Sequence, residues 1–138
     1  MNKPDIQDSY SLFIDGQWKQ ASDGGTFETF CPANGERLAT CAEATKEDVD
    51  AAVAAANKAW GGWKKIDPIE RANMLLKIAD IIDANKEHLA MVETLDNGKP
   101  IRETMNVDVP FAADHFRYFA GVVRADEGTA VMLDENTM

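Results

Sequence analysis

The sequence predicts a mainly α-helical chain that opens with a short β-hairpin and a few strands. Three observations carry this. Turn signals crowd the first third, at Asp15-Gly16, Ser22-Asp23-Gly24-Gly25 and Pro32-Ala33-Asn34-Gly35. From Val49 to Val123, apolar residues recur three and four positions apart, the period of a helix with one buried face. Between these limits, Asp67-Pro68 and Asn97-Gly98 read as a helix start and a helix stop.

In chain order, residues 1–11 are polar and predict a flexible arm. Leu12 to Lys19 reads as a hairpin, because Asp15-Gly16 supplies the two positive-φ positions of a tight turn. Ser22 to Gly25 is a second turn, Thr26 to Phe30 a short strand, Pro32 to Glu36 a third turn, and Leu38 to Ala42 a further strand. Thr45 followed by Asp48 predicts a capped helix start. Val49, Val53, Ala56, Trp60 and Trp63 then share one face, and Gly61-Gly62 should break this helix before Trp63.

Asp67-Pro68-Ile69-Glu70 combines a cap, a proline at the first helical position and a glutamate to close the capping box. Leu75, Ile78, Ala79 and Ile82 form the stripe that follows. Asp83-Ala84-Asn85 is an interruption, after which Leu89, Val92 and Leu95 face inward. Asn97-Gly98 closes that helix, since both residues tolerate the left-handed conformation. Pro100 opens the next, with Ala112, Phe116, Phe119 and Val123 on its apolar face and Pro110 expected to kink or split it. Asp126-Glu127-Gly128 ends it, and Thr129 to Leu133 reads as an extended strand.

The 138 residues suit one ordinary domain, and a net charge of −10 argues against nucleic acid as the main partner, since phosphates need a basic face. The opening Met1-Asn2-Lys3-Pro4-Asp5 leads into polar residues with no apolar leader, and Ala51 to Ala56 is far too short to span a bilayer. Cys31 and Cys41 make no disulfide framework in a chain of this length. The expectation is a cytoplasmic protein with free thiols and no membrane contact.

Reacting groups are scarce. A nucleophilic thiol needs a base or an electropositive setting. Cys31 lies between Phe30 and Pro32, and Cys41 lies near Glu43, so both read as structural. His88 and His115 have no partner at metal-ligand spacing and read as surface or packing residues. Phe111, Phe116, Tyr118 and Phe119 read as core. Gly24-Gly25 and Gly61-Gly62 form no phosphate-binding turn, so no cofactor-binding residue and no catalytic residue is assigned.

Several blocks carry a resemblance. They are Phe13-Ile14-Asp15-Gly16-Gln17-Trp18, Pro32-Ala33-Asn34-Gly35-Glu36, Glu47-Asp48-Val49-Asp50-Ala51-Ala52-Val53 and Trp60 with Trp63. They continue with Glu70-Arg71, Glu93-Thr94-Leu95-Asp96-Asn97-Gly98-Lys99-Pro100, and Tyr118-Phe119-Ala120-Gly121. In order and spacing the chain, from about residue 12 on, resembles the N-terminal segment of NAD(P)-dependent aldehyde dehydrogenases. Cys31 departs from the pattern, which usually has Asn or Asp there.

The resemblance implies an α/β parent enzyme that oxidises an aldehyde to a carboxylic acid with NAD or NADP. It implies that residues 12–138 are an incomplete part of the cofactor-binding domain, ending where an oligomerisation hairpin begins. The catalytic Cys, the Glu base and the cofactor-binding turn would lie outside this chain, leaving it inactive alone and without bound cofactor. It further implies a monovalent cation held by the backbone carbonyl of Thr29 or Phe30 and by Asp96; the plainer role for Asp96 is to help close its helix. The alternative reading is a free-standing helical module for binding or assembly. In either case the apolar helix faces need partners, and self-association is expected.

Overall fold

The Asp15-Gly16 turn forms as its chemistry requires. Asp15 and Gly16 have φ of 52° and 75°, and they join β2 (Leu12–Ile14) to β3 (Gln17–Lys19) in an antiparallel pair that sets Phe13 opposite Trp18. The structure, a computed structural model, describes residues 4–128. The predicted strand from Thr129 to Leu133 lies outside the described residues. The arm is shorter than its polarity suggests: Ser9–Tyr10 form β1, which pairs in parallel with β5 (Arg37–Ala42). β5 also pairs antiparallel with β4 (Thr26–Phe30), giving a three-stranded sheet in the order β1-β5-β4.

α1 (Lys46–Trp63) starts on a complete capping box. Thr45 Oγ1 accepts from the Asp48 amide at 3.3 Å, and Asp48 Oδ2 accepts from the Thr45 amide at 2.9 Å. Gly61 and Gly62 do not break it; the helix runs through both. An internal glycine costs a helix only about 1 kcal/mol, and the end of a helix already in register carries that. The predicted apolar stripe is also not the packed one. Val49, Val53 and Trp60 are each more than half exposed, and no residue of α1 is buried. The helix instead turns the half-buried Ala52 and Ala55 toward β2, where they line an open recess with Phe13 and Ile14, and Val49 borders the same side.

α2 (Pro68–Ala84) is capped by Asp67, whose Oδ1 accepts from the Ile69 amide at 2.7 Å; the return bond expected from Glu70 is absent among the described residues. Asn85 is shared between the end of α2 and the start of α3 (Lys86–Asn97). Gly98, at φ 79°, stops α3. In α3 the buried residue is Ala90; Leu89 turns outward, with Val92 and Leu95 half-buried.

Pro100 opens the short α4 (Ile101–Glu103), followed by a π-helical turn, Thr104–Asp108, and α5 (Val109–Ala125). The split expected at Pro110 falls just before it. The Val109 amide reaches back five residues to the Thr104 carbonyl, so Pro110, with no N–H to give, sits in the first turn of a new α-helix.

α2 and α5 pack against each other more extensively than any other helix pair. Their contact is a seam of alanines: Ala72 and Ala79 on α2, Ala113 and Ala120 on α5, all at most 3% exposed. Arg117 ties the seam's edge by donating to Asp80 at 3.0 Å and Asp83 at 2.7 Å. This register corrects the predicted one. Ala112 and Phe119 face outward, and Val109, Ala113 and Ala120 are buried in their place. Of the four aromatics read as core, Phe111, Tyr118 and Phe119 are more than half exposed and only Phe116 is partly buried. Alanines win the seam because they let the two backbones come together; the rings then lie on the flanks.

Candidate functional site

The residues of the implied cation site lie where the turn after β4 meets the end of α3. Gly98 stands against the Pro32 ring; a Cβ on Gly98 would lie 2.9 Å from Pro32 Cγ. Cys31, 3% exposed, closes the Pro32–Glu36 turn with its backbone, donating to Glu36 O at 2.8 Å and accepting from the Gly35 amide at 2.8 Å. Its thiol is free, as is that of the half-buried Cys41. Cys31 therefore packs a turn, and its burial denies it access to an electrophile.

Thr29 and Phe30 end β4, and a register shift between them interrupts the ladder with β5. Asp96 lies exposed in the last turn of α3. The Pro32–Gly98 contact brings these two chain regions together. No hydrogen bond joins Asp96 to Thr29 or Phe30 among the described residues, and no group of three or more His, Cys, Asp or Glu side chains there could hold a metal ion. The cap of α3 is Gly98, whose amide donates to Thr94 O at 3.0 Å, and Asn97 Oδ1 accepts from the Lys99 amide at 2.8 Å just beyond it; the Asp96 side chain makes no hydrogen bond at this helix end among the described residues.

Behind this corner the polar groups are paired. Thr104, fully buried, donates to Ile101 O at 3.2 Å, so Thr94 supplies the proton in the 2.8 Å bond between the two hydroxyls. Lys99 Nζ lies 2.6 Å from Asp108 Oδ2, spanning the π turn, and the Asp108 carboxylate raises the lysine's pKa. These pairs fix the path from α3 into α5. Spacing along one helix could not reveal them, because the chain between the partners turns a corner.

A second cluster links the strands to α1. Asp48 Oδ2 accepts from the Ser22 amide at 3.0 Å as well as from Thr45, and Ser22 Oγ lies 2.7 Å from Thr45 Oγ1. Ser22 had no signal in sequence beyond its turn. The Ser22 amide first, and the Thr45 amide next, lower the Asp48 pKa. A carboxylate stabilised in the folded state contributes stability above its unfolded pKa and loses it as pH falls through the folded value. Acid titration of unfolding should therefore show wild type losing stability toward low pH over a range where Asp48→Asn is flat by comparison. Equal pH slopes would refute this assignment.

The histidines stay apart from both clusters. His115 Nδ1 lies 2.8 Å from Phe111 O, and its ring meets the Phe111 ring edge-on with centroids 4.1 Å apart. His88 borders an open groove with Pro4, Asp83 and Met91. An apolar recess between Leu75, His115, Phe116 and Phe119 holds no acid–base pair. Arg71 Nε is buried with no acceptor among the described residues. No helix among them is long and apolar enough to cross a membrane.

Against known proteins, residues 18–138 match the aldehyde dehydrogenase family. The chain is 46% identical to a long-chain-aldehyde dehydrogenase of Acinetobacter over 137 residues, 99% of this chain and 27% of the relative. It is also 46% identical to an aldehyde dehydrogenase of Deinococcus radiodurans, over 94% of this chain and 25% of that protein. Among solved structures, the NAD⁺ complex of a Bacillus cereus aldehyde dehydrogenase superposes with a TM-score of 0.88 at 38% identity, covering 92% of this chain and 26% of that one. The chain thus spans about a quarter of the length of the relatives it matches.

Proposed function

The chain belongs to the aldehyde dehydrogenase family, and from that premise we propose that its residues serve an enzyme oxidising an aldehyde to a carboxylic acid with NAD⁺ or NADP⁺. Their part is scaffold. The observation that carries this is the division of labour within the chain: its polar clusters are spent on caps, turns and helix junctions, and its buried thiol packs a turn. The cofactor accepts hydride in such a reaction. The chain's paired glycines, Gly24-Gly25 and Gly61-Gly62, lack the spacing of a phosphate-binding turn. Val49, Val53 and Trp60 on α1 and Phe111 and Phe119 on α5 offer apolar surface to further protein. The purified 138-residue chain is expected to reduce no NAD⁺ with any aldehyde, whereas a full-length relative carrying this segment in place of its own turns over. Activity that copurifies with the 15.2 kDa chain would refute the scaffold assignment.

A cation site at Thr29, Phe30 and Asp96 belongs to this reading. The ladder is interrupted between Thr29 and Phe30, where Leu38 of β5 has no partner, and Asp96 adds an exposed carboxylate nearby in the chain regions that Pro32 and Gly98 bring together. Carbonyl and carboxylate oxygens suit a hard monovalent ion. Crystals of the segment-bearing enzyme soaked in rubidium should show an anomalous peak between β4 and Asp96; a blank map there would remove the site. In the isolated chain the bare apolar faces bind second copies. Light scattering is expected to find mass above the monomer as concentration rises, and a strict monomer would contradict this.

A further inference from the structure

The chain contains two Asn-Gly pairs, Asn34-Gly35 and Asn97-Gly98, and the fold treats them differently. We propose that Asn34 is a site of spontaneous deamidation and that Asn97, also followed by glycine, is protected. The chemistry needs only water and hydroxide. Hydroxide removes the glycine amide proton, and the nitrogen attacks the asparagine Cγ. A new C–N bond closes a succinimide, the Cγ–Nδ2 bond breaks, and the departing amide takes a proton from water and leaves as ammonia. Water then opens either imide carbonyl to give aspartate or isoaspartate.

The two sites share several features. Both glycines have positive φ, 74° and 79°. Both glycine amides are engaged, Gly35 with Cys31 O at 2.8 Å and Gly98 with Thr94 O at 3.0 Å. Both asparagine Oδ1 atoms accept from the amide two residues on, at 3.0 Å from Glu36 and 2.8 Å from Lys99, which polarises Cγ toward attack. What separates them is freedom to close the ring. Asn97 is the last residue of α3, so ring closure must unwind a helical turn. Its leaving amide is held by Glu93 Oε1 at 3.2 Å. The Pro32 ring lies close over Gly98, 2.9 Å from where a Cβ would stand, so movement of the Gly98 backbone toward that side meets the ring. Asn34 is exposed in a turn, and its Nδ2 has no partner among the described residues. Around Gly35 nothing lies within 4 Å of where a Cβ would be.

The product matters to the fold. Deamidation adds a negative charge beside Glu36, and isoaspartate inserts a methylene into the loop that the Cys31–Glu36 bond closes. The test is peptide mapping by mass spectrometry after incubating the chain at mildly alkaline pH, folded and in urea, with isoaspartate read by methyltransferase labelling. In the folded chain, Asn34 should convert at least about tenfold faster than Asn97, as expected where reaction requires local opening; in urea the two rates should converge. Asn34→Gln should remove the fast phase and leave the slow Asn97 phase. Equal rates in the folded chain, or no conversion at Asn34 while urea permits it, would overturn the proposal.

Discussion

Ala113→Leu is expected to destabilise the chain by about 3 kcal/mol, whereas Ala112→Leu, one residue earlier, changes stability by no more than about 0.5 kcal/mol. Ala113 is completely inaccessible on α5, in the seam with the equally closed Ala72 and Ala79 of α2. Three added carbons there must either part the helices or force strained rotamers. Ala112 is exposed, and a leucine in its place meets solvent. Thermal unfolding followed by circular dichroism reads the difference. The pair also decides between two registers for α5, because apolar periodicity counted from Ala112 predicts the opposite ranking. A more harmful Ala112→Leu would mean that α5 packs through its predicted face.

Gly98→Ala should cost about 2 kcal/mol or more, from two causes that add. A left-handed residue with a Cβ costs about 1–2 kcal/mol, and here the new methyl would also sit 2.9 Å from Pro32 Cγ. The proline ring cannot swing aside as a long side chain would. Gly35→Ala is the matched control: it has a similar φ of 74° and open space around it, so it carries the conformational cost alone. Urea unfolding with unchanged m-values should rank Gly98→Ala as clearly the more damaging. If the two cost the same, the contact between the β4–β5 turn and the end of α3 contributes nothing, and the support for a cation site between them weakens with it.

The candidate site was legible in pieces. Asp67-Pro68, Thr45 with Asp48, Asp15-Gly16 and Asn97-Gly98 all announce their structures, because a cap or turn is made by residues within four positions of each other. That the Pro32 turn would rest on Gly98 had no such signal, since the contact joins distant parts of the chain. Nor did the Thr94–Thr104 hydroxyl pair or the Lys99–Asp108 bridge, which depend on the chain changing direction between the partners. Ser22 is the same case, joining the α1 capping box from the strand side.

By itself, then, the sequence determined the turns and caps at Asp15-Gly16, Thr45, Asp67-Pro68 and Asn97-Gly98, but neither β1 nor the run of α1 through Gly61-Gly62, and its ordered blocks pointed to the family. Tertiary structure decided which side chains on each helix close the core. Period tells that a helix has apolar residues on one side, but neighbouring stripes differ by a fraction of a turn, and the bulkier one draws the prediction. In α5 the smaller stripe won, because alanines let two backbones approach where phenylalanines would hold them apart; in α2 the predicted Ala79 lies in the seam with Ala72, Leu75 and Ile82 are half-buried beside it, and only Ile78 turns out. In α1 the helix meets the hairpin over Ala52 and Ala55, and Val53 and Trp60 stay more than half exposed because little of the chain packs against this helix.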